Sequence, residues 1–298
     1  MNSKSSPLAG AAAGVALGFA GAVAAYATLV EPAWVEVTHH KLPVNHIPPE
    51  WDGARIAHLS DLHYGNPRSH RLIHDAVQVV NDFEPDLVVI TGDFLVDRPE
   101  QVGPCLELLA RVRSRHGIVA VMGDHDTWRD VRYQRACRPG GKLGPKVIVP
   151  VPGFLDGLRS YGIRLLRNDA VELPGGFLIA GVEPRTARVQ WDDLDLALNR
   201  CGGRTPHLLL SHAPDLIVDA SRHGVPLMLA GHTHGGQVVI PGYGPPVTHC
   251  HLHRRHAAGW SEMDGTKLFT IRGLSSHYSL RFLCRPEIAL HVAQSARN

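Results

Sequence analysis

Six short, solidly apolar runs punctuate this 298-residue chain, and five of them end in the same chemistry. Arg55–Ser60 runs into Asp61-Leu62-His63, and Asp86–Thr91 into Gly92-Asp93. Ile118–Met122 leads to Gly123-Asp124-His125-Asp126, and His207–Ser211 to His212-Ala213-Pro214. Pro226–Ala230 opens into Gly231-His232-Thr233-His234-Gly235-Gly236-Gln237; Phe177–Gly181 is the sixth run. Runs of this length without polar alternation read as strands covered on both faces. Helical stretches at Ser69–Phe83 and Glu100–Val112 alternate with them, which predicts a layered α/β domain with helices over its sheets. Such folds place their sites at the carboxyl ends of strands. A lone H-x-H would read as a pair of turn histidines. Five strand tips delivering Asp or His in order read as a site.

The candidate ligands are Asp61, His63, Asp93, Asp124, His212, His232 and His234. Neutral imidazole and carboxylate together suit zinc, iron or manganese. One ion does not need seven ligands, whereas two ions sharing a bridging carboxylate do. Ions about 3.5–4 Å apart suit displacement at a phosphoester, because they clamp the attacking and leaving oxygens and yield a bridging hydroxide near neutral pH. The glycines beside the histidines supply backbone angles that other residues resist.

D-x-H, G-D, G-(N)-H-D, H-x-P and G-H-T-H-G-G-Q, in this order, resemble the calcineurin-like metallophosphoesterases. The likeness runs from about Arg55 to the Pro286-Glu287-Ile288 strand. With the preceding apolar segment and Glu31-Pro-Ala-Trp-Val-Glu36, it resembles a membrane-associated bacterial branch that includes phosphodiesterases and UDP-2,3-diacylglucosamine pyrophosphatases. The resemblance implies a four-layer αββα sandwich with two central mixed β-sheets. It implies Asp61, His63 and His234 on one ion, Asp124, His212 and His232 on the other, and Asp93 between them. His125 takes the place of the family's histidine that steadies the transition state and protonates the leaving oxygen. One position departs: Asp124 stands where the family usually has Asn. Three carboxylates, two divalent ions and one hydroxide sum to zero, so this centre accommodates an Fe³⁺/M²⁺ pair as well as two divalent ions.

The expected activity is a binuclear metal-dependent phosphoester hydrolase, a phosphodiesterase with a lipid-linked or pyrophosphate substrate among its options. The alternative is a catalytically silent scaffold of the same fold, which loss of ligands would mark. Arg129 and Arg132 belong to a basic stretch, Arg129–Lys146, that directly follows His125, and guanidinium forks there suit phosphate oxygens. His58 reads as a packed neighbour of the ligands, and Asp97 and Asp126 as loop braces. His249, His251, His253 and His256 fall in a Pro- and Gly-rich stretch that reads as a mobile surface loop. A formal charge of +2 offers no global field for nucleic acid. Five scattered cysteines without C-x-x-C argue against a disulfide framework or zinc ribbon.

The N-terminus has a different character. Pro7–Val30 carries no charge and is long enough to cross a bilayer core as one hydrophobic helix. Gly10, Gly14 and Gly18 give it a small-residue stripe. Ala25-Tyr26-Ala27 resembles a signal-peptidase site, but the run exceeds a usual signal core, which favours a retained single-pass anchor at the cell membrane. The α-amino group and Lys4 slightly favour an inside N-terminus and an extracytoplasmic catalytic domain. The expected organisation is therefore an anchor over residues 1–30, a proline-bearing linker over 31–53 and the catalytic domain over 54–298.

Overall fold

The computed structural model describes residues 7–96, 98–127, 150–185 and 192–296. Its twelve described strands form two six-stranded mixed sheets. The first comprises β1 (Glu36–Val44), β12 (Glu287–Ser295), β2 (Arg55–Leu59), β3 (Leu87–Thr91), β4 (Ile118–Val121) and β5 (Ile163–Leu165), in that spatial order. The second comprises β10 (Gly259–Met263), β11 (Thr266–Thr270), β9 (Leu227–Ala230), β8 (Leu208–Leu210), β7 (Phe177–Gly181) and β6 (Asp169–Leu173). Strands β2 to β5 are mutually parallel, as are β11, β9, β8 and β7, with antiparallel neighbours toward the edges.

Three apolar layers hold the stack together. Between the sheets, Ile56, Val89 and Val121 of the first meet Ile179, Leu210 and Leu229 of the second. Outside the first sheet lie α2 (Ser69–Phe83), α3 (Val102–Leu109) and α4 (Phe154–Ser160), and outside the second lie α5 (Leu194–Asn199) and α6 (Ile217–Arg222). Helix α2 shows why the sequence folds this way: Leu72, Ile73, Ala76, Val77 and Val80 recur at helical spacing and are all buried. The architecture is the four-layer αββα sandwich. Strands β2, β3, β4, β8 and β9 sit well inside their sheets, so the five charged tips meet where both faces are covered.

The linker expectation for residues 31–53 needs correction. Strand β1 pairs in parallel with β12 along its whole length, from Glu36 opposite Glu287 to Val44 opposite Ser295. Trp51 is buried, donates its indole N–H to the Pro174 carbonyl at 2.9 Å and stacks on Phe177. Glu31 is buried as well. Proline misled here for a physical reason: β1 is an edge strand, where the N–H missing at Pro43 costs little. The folded body begins at about Glu31, directly after the apolar segment. That segment is α1 (Pro7–Ala25) followed by a wider helical turn over Tyr26–Val30, and Gly14–Ala33 is long and apolar enough to cross a membrane.

Candidate metal centre

Three of the five tips, after β2, β3 and β9, leave their strands abruptly. Asp61, His63, Asp93, His232 and His234 all adopt positive φ, between 42° and 68°. Non-glycine residues avoid this region, and where they occupy it the surrounding structure is enforcing the geometry, often at functional sites. Two glycines make the convergence possible. A Cβ on Gly123 would lie 2.0 Å from Asp93 Oδ1, and one on Gly231 would lie 2.0 Å from Ser60 Oγ and 2.6 Å from Asp61 Oδ2.

The structure brings all seven predicted ligands into one buried cluster. Asp61, His63 and His234 form one group of potential metal-binding atoms, and Asp124, His212 and His232 another, each with its atoms within 4.8 Å of one another. Asp93 stands between them, its Oδ2 at 3.4 Å from both His63 Nε2 and His212 Nε2. Sheet one supplies the carboxylates and His63, and sheet two supplies the other three imidazoles.

Hydrogen bonds outside the cluster decide which ring nitrogen faces in. His212 Nδ1 lies 2.7 Å from the Thr91 carbonyl, so it carries the proton and donates. His232 Nε2 lies 3.2 Å from the His249 carbonyl and donates likewise. The inward nitrogens, His212 Nε2 and His232 Nδ1, are then 3.1 Å apart and each 3.5 Å from Asp124 Oδ1. In the other group, His63 Nε2 and His234 Nε2 face each other at 3.3 Å, with Asp61 Oδ1 at 3.6 Å from the latter. Asp61 Oδ1 is buried with no hydrogen-bond partner. Converging ring nitrogens beside an orphaned carboxylate oxygen fit a cation placed among them.

Burial pushes the imidazoles of His63 and His232 down, to about 3 and about 4, so both rings are neutral at physiological pH. His234 is held well below its usual range by burial, then by His63 and Arg281. Burial also opposes charge on His212, but Asp93 and Asp124 beside it outweigh that and raise it well above the ordinary value. Burial raises Asp93, yet the His212, His125 and His63 rings together hold it well below the carboxylate range.

His125 sits at the rim. Its main-chain N–H donates to Asp93 Oδ1 at 2.9 Å, and its Nδ1 lies 2.9 Å from the Val96 carbonyl, leaving Nε2 for the cleft. Asp126 braces the loops, with Oδ2 accepting from Gly123 N–H and Oδ1 from Leu95 N–H. His58 is buried on Thr91 Oγ1 at 2.9 Å, one step behind His212. Arg129, Arg132 and Asp97 lie outside the described residues.

In the His249–His256 stretch, His249, His251 and His253 are exposed on a surface loop as expected, while His256 departs from that expectation. His256 is buried and bonded to Ser261, and the His249 carbonyl holds His232. Sequence reasoning also missed Arg281. Fully buried, it donates to the carbonyls of Arg272 and Ser275, both at 2.9 Å, and reaches the His234 carbonyl at 3.5 Å. No local pattern marks it, because its partners come from three separate turns. His277, whose ring lies 5.7 Å from that of His125, was missed for the same reason.

The fold and cluster define a class: an α/β sandwich whose inner strand tips form a carboxylate–imidazole centre able to hold metal. Residues 54–236 match the family described as calcineurin-like phosphoesterase, and the chain belongs to that family. It is 29% identical over 276 residues to the uncharacterized metallophosphoesterase YkuE of Bacillus subtilis, covering 91% of this chain and 89% of that protein. It is 29% identical over 278 residues to the phosphodiesterase YaeI of Escherichia coli, covering 89% and 90%. With the UDP-2,3-diacylglucosamine pyrophosphatase LpxG of Chlamydia trachomatis it shares 24% identity over 281 residues, covering 80% and 83%.

Proposed function

We propose that the chain is a metal-dependent phosphoester hydrolase acting on a phosphodiester or pyrophosphate bond, anchored to a membrane by its N-terminal helix. The observation that carries this reading is the pair of Asp/His groups joined through Asp93, with the rings of His212 and His232 turned inward by outward hydrogen bonds. In this reading Asp61, His63 and His234 would hold one divalent ion and Asp124, His212 and His232 a second, with Asp93 placed to serve both. When bound, such a pair supplies Lewis acidity to phosphoryl oxygens and acidifies water.

The chain's own residues do the rest. Thr91 and His249 carbonyls accept from the outer nitrogens of His212 and His232 and so turn the other nitrogen of each ring toward the cluster. Asp93 serves two ends, its Oδ2 toward the cluster and its Oδ1 on the His125 N–H, which ties the rim histidine to the centre. The Val96 carbonyl orients the His125 ring and leaves Nε2 to hold or deliver a proton at the leaving oxygen. The phosphodiesterase and pyrophosphatase names of the two relatives support these bond classes.

The test is hydrolysis of bis-p-nitrophenyl phosphate by the full chain, stripped with chelator and then given Mn²⁺, alongside elemental analysis. Activity restored by metal and two ions per chain are expected. An active preparation holding one ion or none overturns the binuclear reading, and metal-independent turnover overturns the metal requirement altogether.

A further inference from the structure

The loops that leave the metal centre carry a face that hydrolysis does not use. The apolar N-terminal segment does not simply end and release the chain: its last turn is built onto residues 281–284. The Arg281 main-chain N–H donates to the Ala27 carbonyl at 2.8 Å. The Glu31 carboxylate, 1% exposed, accepts from the Leu283 N–H at 2.9 Å and from the Cys284 N–H. The rings of Tyr26 and Phe282 meet edge to face at 6.4 Å. A carboxylate buried on two peptide N–H groups is a specific joint, since burying such a charge without partners is costly. It fixes the 281–284 turn at the level of the segment's carboxyl end. When Gly14–Ala33 spans a bilayer, that level is the boundary between acyl chains and headgroups.

Apolar side chains are exposed all around the joint. At the helix end these are Leu29, Val30 and Trp34. On the turn they are Leu280, Leu283 and Tyr278, the last two 53% and 71% exposed. A second loop is tied to the first by the Val238–Phe282 bridge and by the Gln237 amide, which donates to the carbonyls of Tyr278 and Leu280. It exposes Ile240, Tyr243 and Val247. Single exposed apolar residues are ordinary, but three groups on joined segments mark an interaction surface. Two arginines complete it. Arg285 lies 3.7 Å over the Trp34 ring and Arg254 3.9 Å over the Tyr243 ring. Aromatic rings with a cation at one end suit the headgroup level, ring toward the acyl chains and guanidinium toward phosphate.

We propose that this face docks on the phospholipid bilayer. Residues 278–283 and 240–247 seat in the headgroup region beside the end of the apolar segment. A second protein is the weaker occupant, because the patch continues an apolar helix long enough to span and carries guanidinium–ring pairs of headgroup chemistry. Docking holds the metal centre close to the membrane, since the second loop begins at His234-Gly235-Gly236 and Arg281 supports the His234 carbonyl. The proposal rests on the membrane-anchor reading above but not on the chain being a hydrolase.

The experiment uses the full chain in nanodiscs of mixed zwitterionic and anionic phospholipid, with Cys137 and Cys250 replaced by serine. Nitroxides are placed singly at Leu280→Cys, Tyr243→Cys and, as a solvent reference, Tyr161→Cys beyond the far end of the first sheet. Power saturation compares collision with oxygen, which enters lipid, against a nickel chelate, which stays in water. The two loop positions should show nickel access reduced several-fold relative to position 161, with oxygen access raised. Adding Leu283→Glu to the Tyr243→Cys form should return nickel access toward the reference. Loop labels as open to nickel as position 161 overturn the proposal, as does a Leu283→Glu form that changes nothing. Label–label broadening with low access to both reagents, the signature of a second copy covering the face, overturns it as well.

Discussion

Two groups of buried histidines lie within one sandwich, and only one has the makings of a metal centre. At the strand tips, His63, His212, His232 and His234 surround three carboxylates, and two of these rings send the outer N–H to a main-chain carbonyl. Between the sheets, His40, His58 and His291 form a second array, with ring centroids 5.4 Å and 5.9 Å from His291. There Phe269 packs 4.9 Å from His291 and 4.5 Å from His40. Neither ring nitrogen of His291 has a partner, nor has His58 Nδ1. A single acid among the described residues reaches this array: Glu287 lies 4.0 Å from His40 Nε2 and is otherwise engaged by Arg272 and Thr38. Among the described residues, every Asp/His group able to hold an ion lies at the tips. Burial depresses imidazole basicity in both places. Convergent carboxylates separate a cation site from a packed core, so histidine abundance says little and the company each histidine keeps says much.

The hardest test of that contrast is Asp93→Ala against His291→Leu. Removing the carboxylate that faces both halves should cut kcat/KM at least about 10³-fold, as when one member of a unit acting together is lost. His291→Leu should leave kcat/KM within a few-fold, and its stability at pH 7 unchanged or higher, because it removes an unpartnered buried polar ring. Steady-state kinetics with denaturant unfolding on both variants provides the check. Similar kinetic losses from the two would erase the distinction.

His125 sharpens the boundary of the first group. If its Nε2 protonates the leaving oxygen, His125→Ala should cost about 10²–10⁴-fold on an alkyl ester, where the departing alkoxide is basic. On a nitrophenyl ester the loss should be far smaller. Equal losses would reduce His125 to a residue that only binds or steadies charge.

The second group should declare itself in acid. Burial, opposed weakly by Glu287, holds His58 down to about 3, and His291 lies well below its ordinary value for the same first reason. Above pH 6.5 both are neutral folded and unfolded, so they contribute no pH dependence. As pH falls below 6.5 the unfolded chain takes up protons that the folded chain refuses. Stability therefore falls by about 1.4 kcal/mol per pH unit per group, until the folded-state values are reached. Unfolding at pH 7 and pH 5.5 should show a shallower decline for His291→Leu than for the parent chain. An identical decline would mean that His291 is protonated in the folded state.

The two regions also differ in how far the sequence exposed them. The strand tips were legible because chemistry and periodicity coincide there: a solid apolar run, a glycine or serine, then Asp or His. β1 was not legible, because Pro43 and the Pro48-Pro49 pair imitate a linker while an edge strand tolerates them. His40 was consequently read as linker, although β1 sets it directly opposite His291 on β12. The outer strands β5, β6 and β10 are short or half-exposed, and β5 pairs with β4 across some forty intervening residues. Arg281 is the clearest miss. Its guanidinium is held by carbonyls that only the folded chain assembles, so no spacing rule finds it.

The subtlest test lies inside the metal group, at Asp124. In the family Asn usually occupies this place, and here the carboxylate adds one negative charge beside His212 and His232. Burial opposes that charge, but the His212 hydrogen bond outweighs it and holds the carboxyl down to about 2, so it is ionised throughout the working range. Asp124→Asn keeps one ligand oxygen and deletes the charge, moving the loaded centre from zero to +1 by the count of three carboxylates, two divalent ions and one hydroxide. An anionic substrate should then bind several-fold more tightly, with KM falling and kcat changing less. The second ion should bind more weakly, and any advantage of a trivalent ion should shrink. Metal titration of both forms, followed by KM on one diester, measures both effects. If neither moves, the local charge count does not govern this centre, and the sharp line drawn between a carboxylate-rich cluster and a carboxylate-poor one would have to rest on geometry alone.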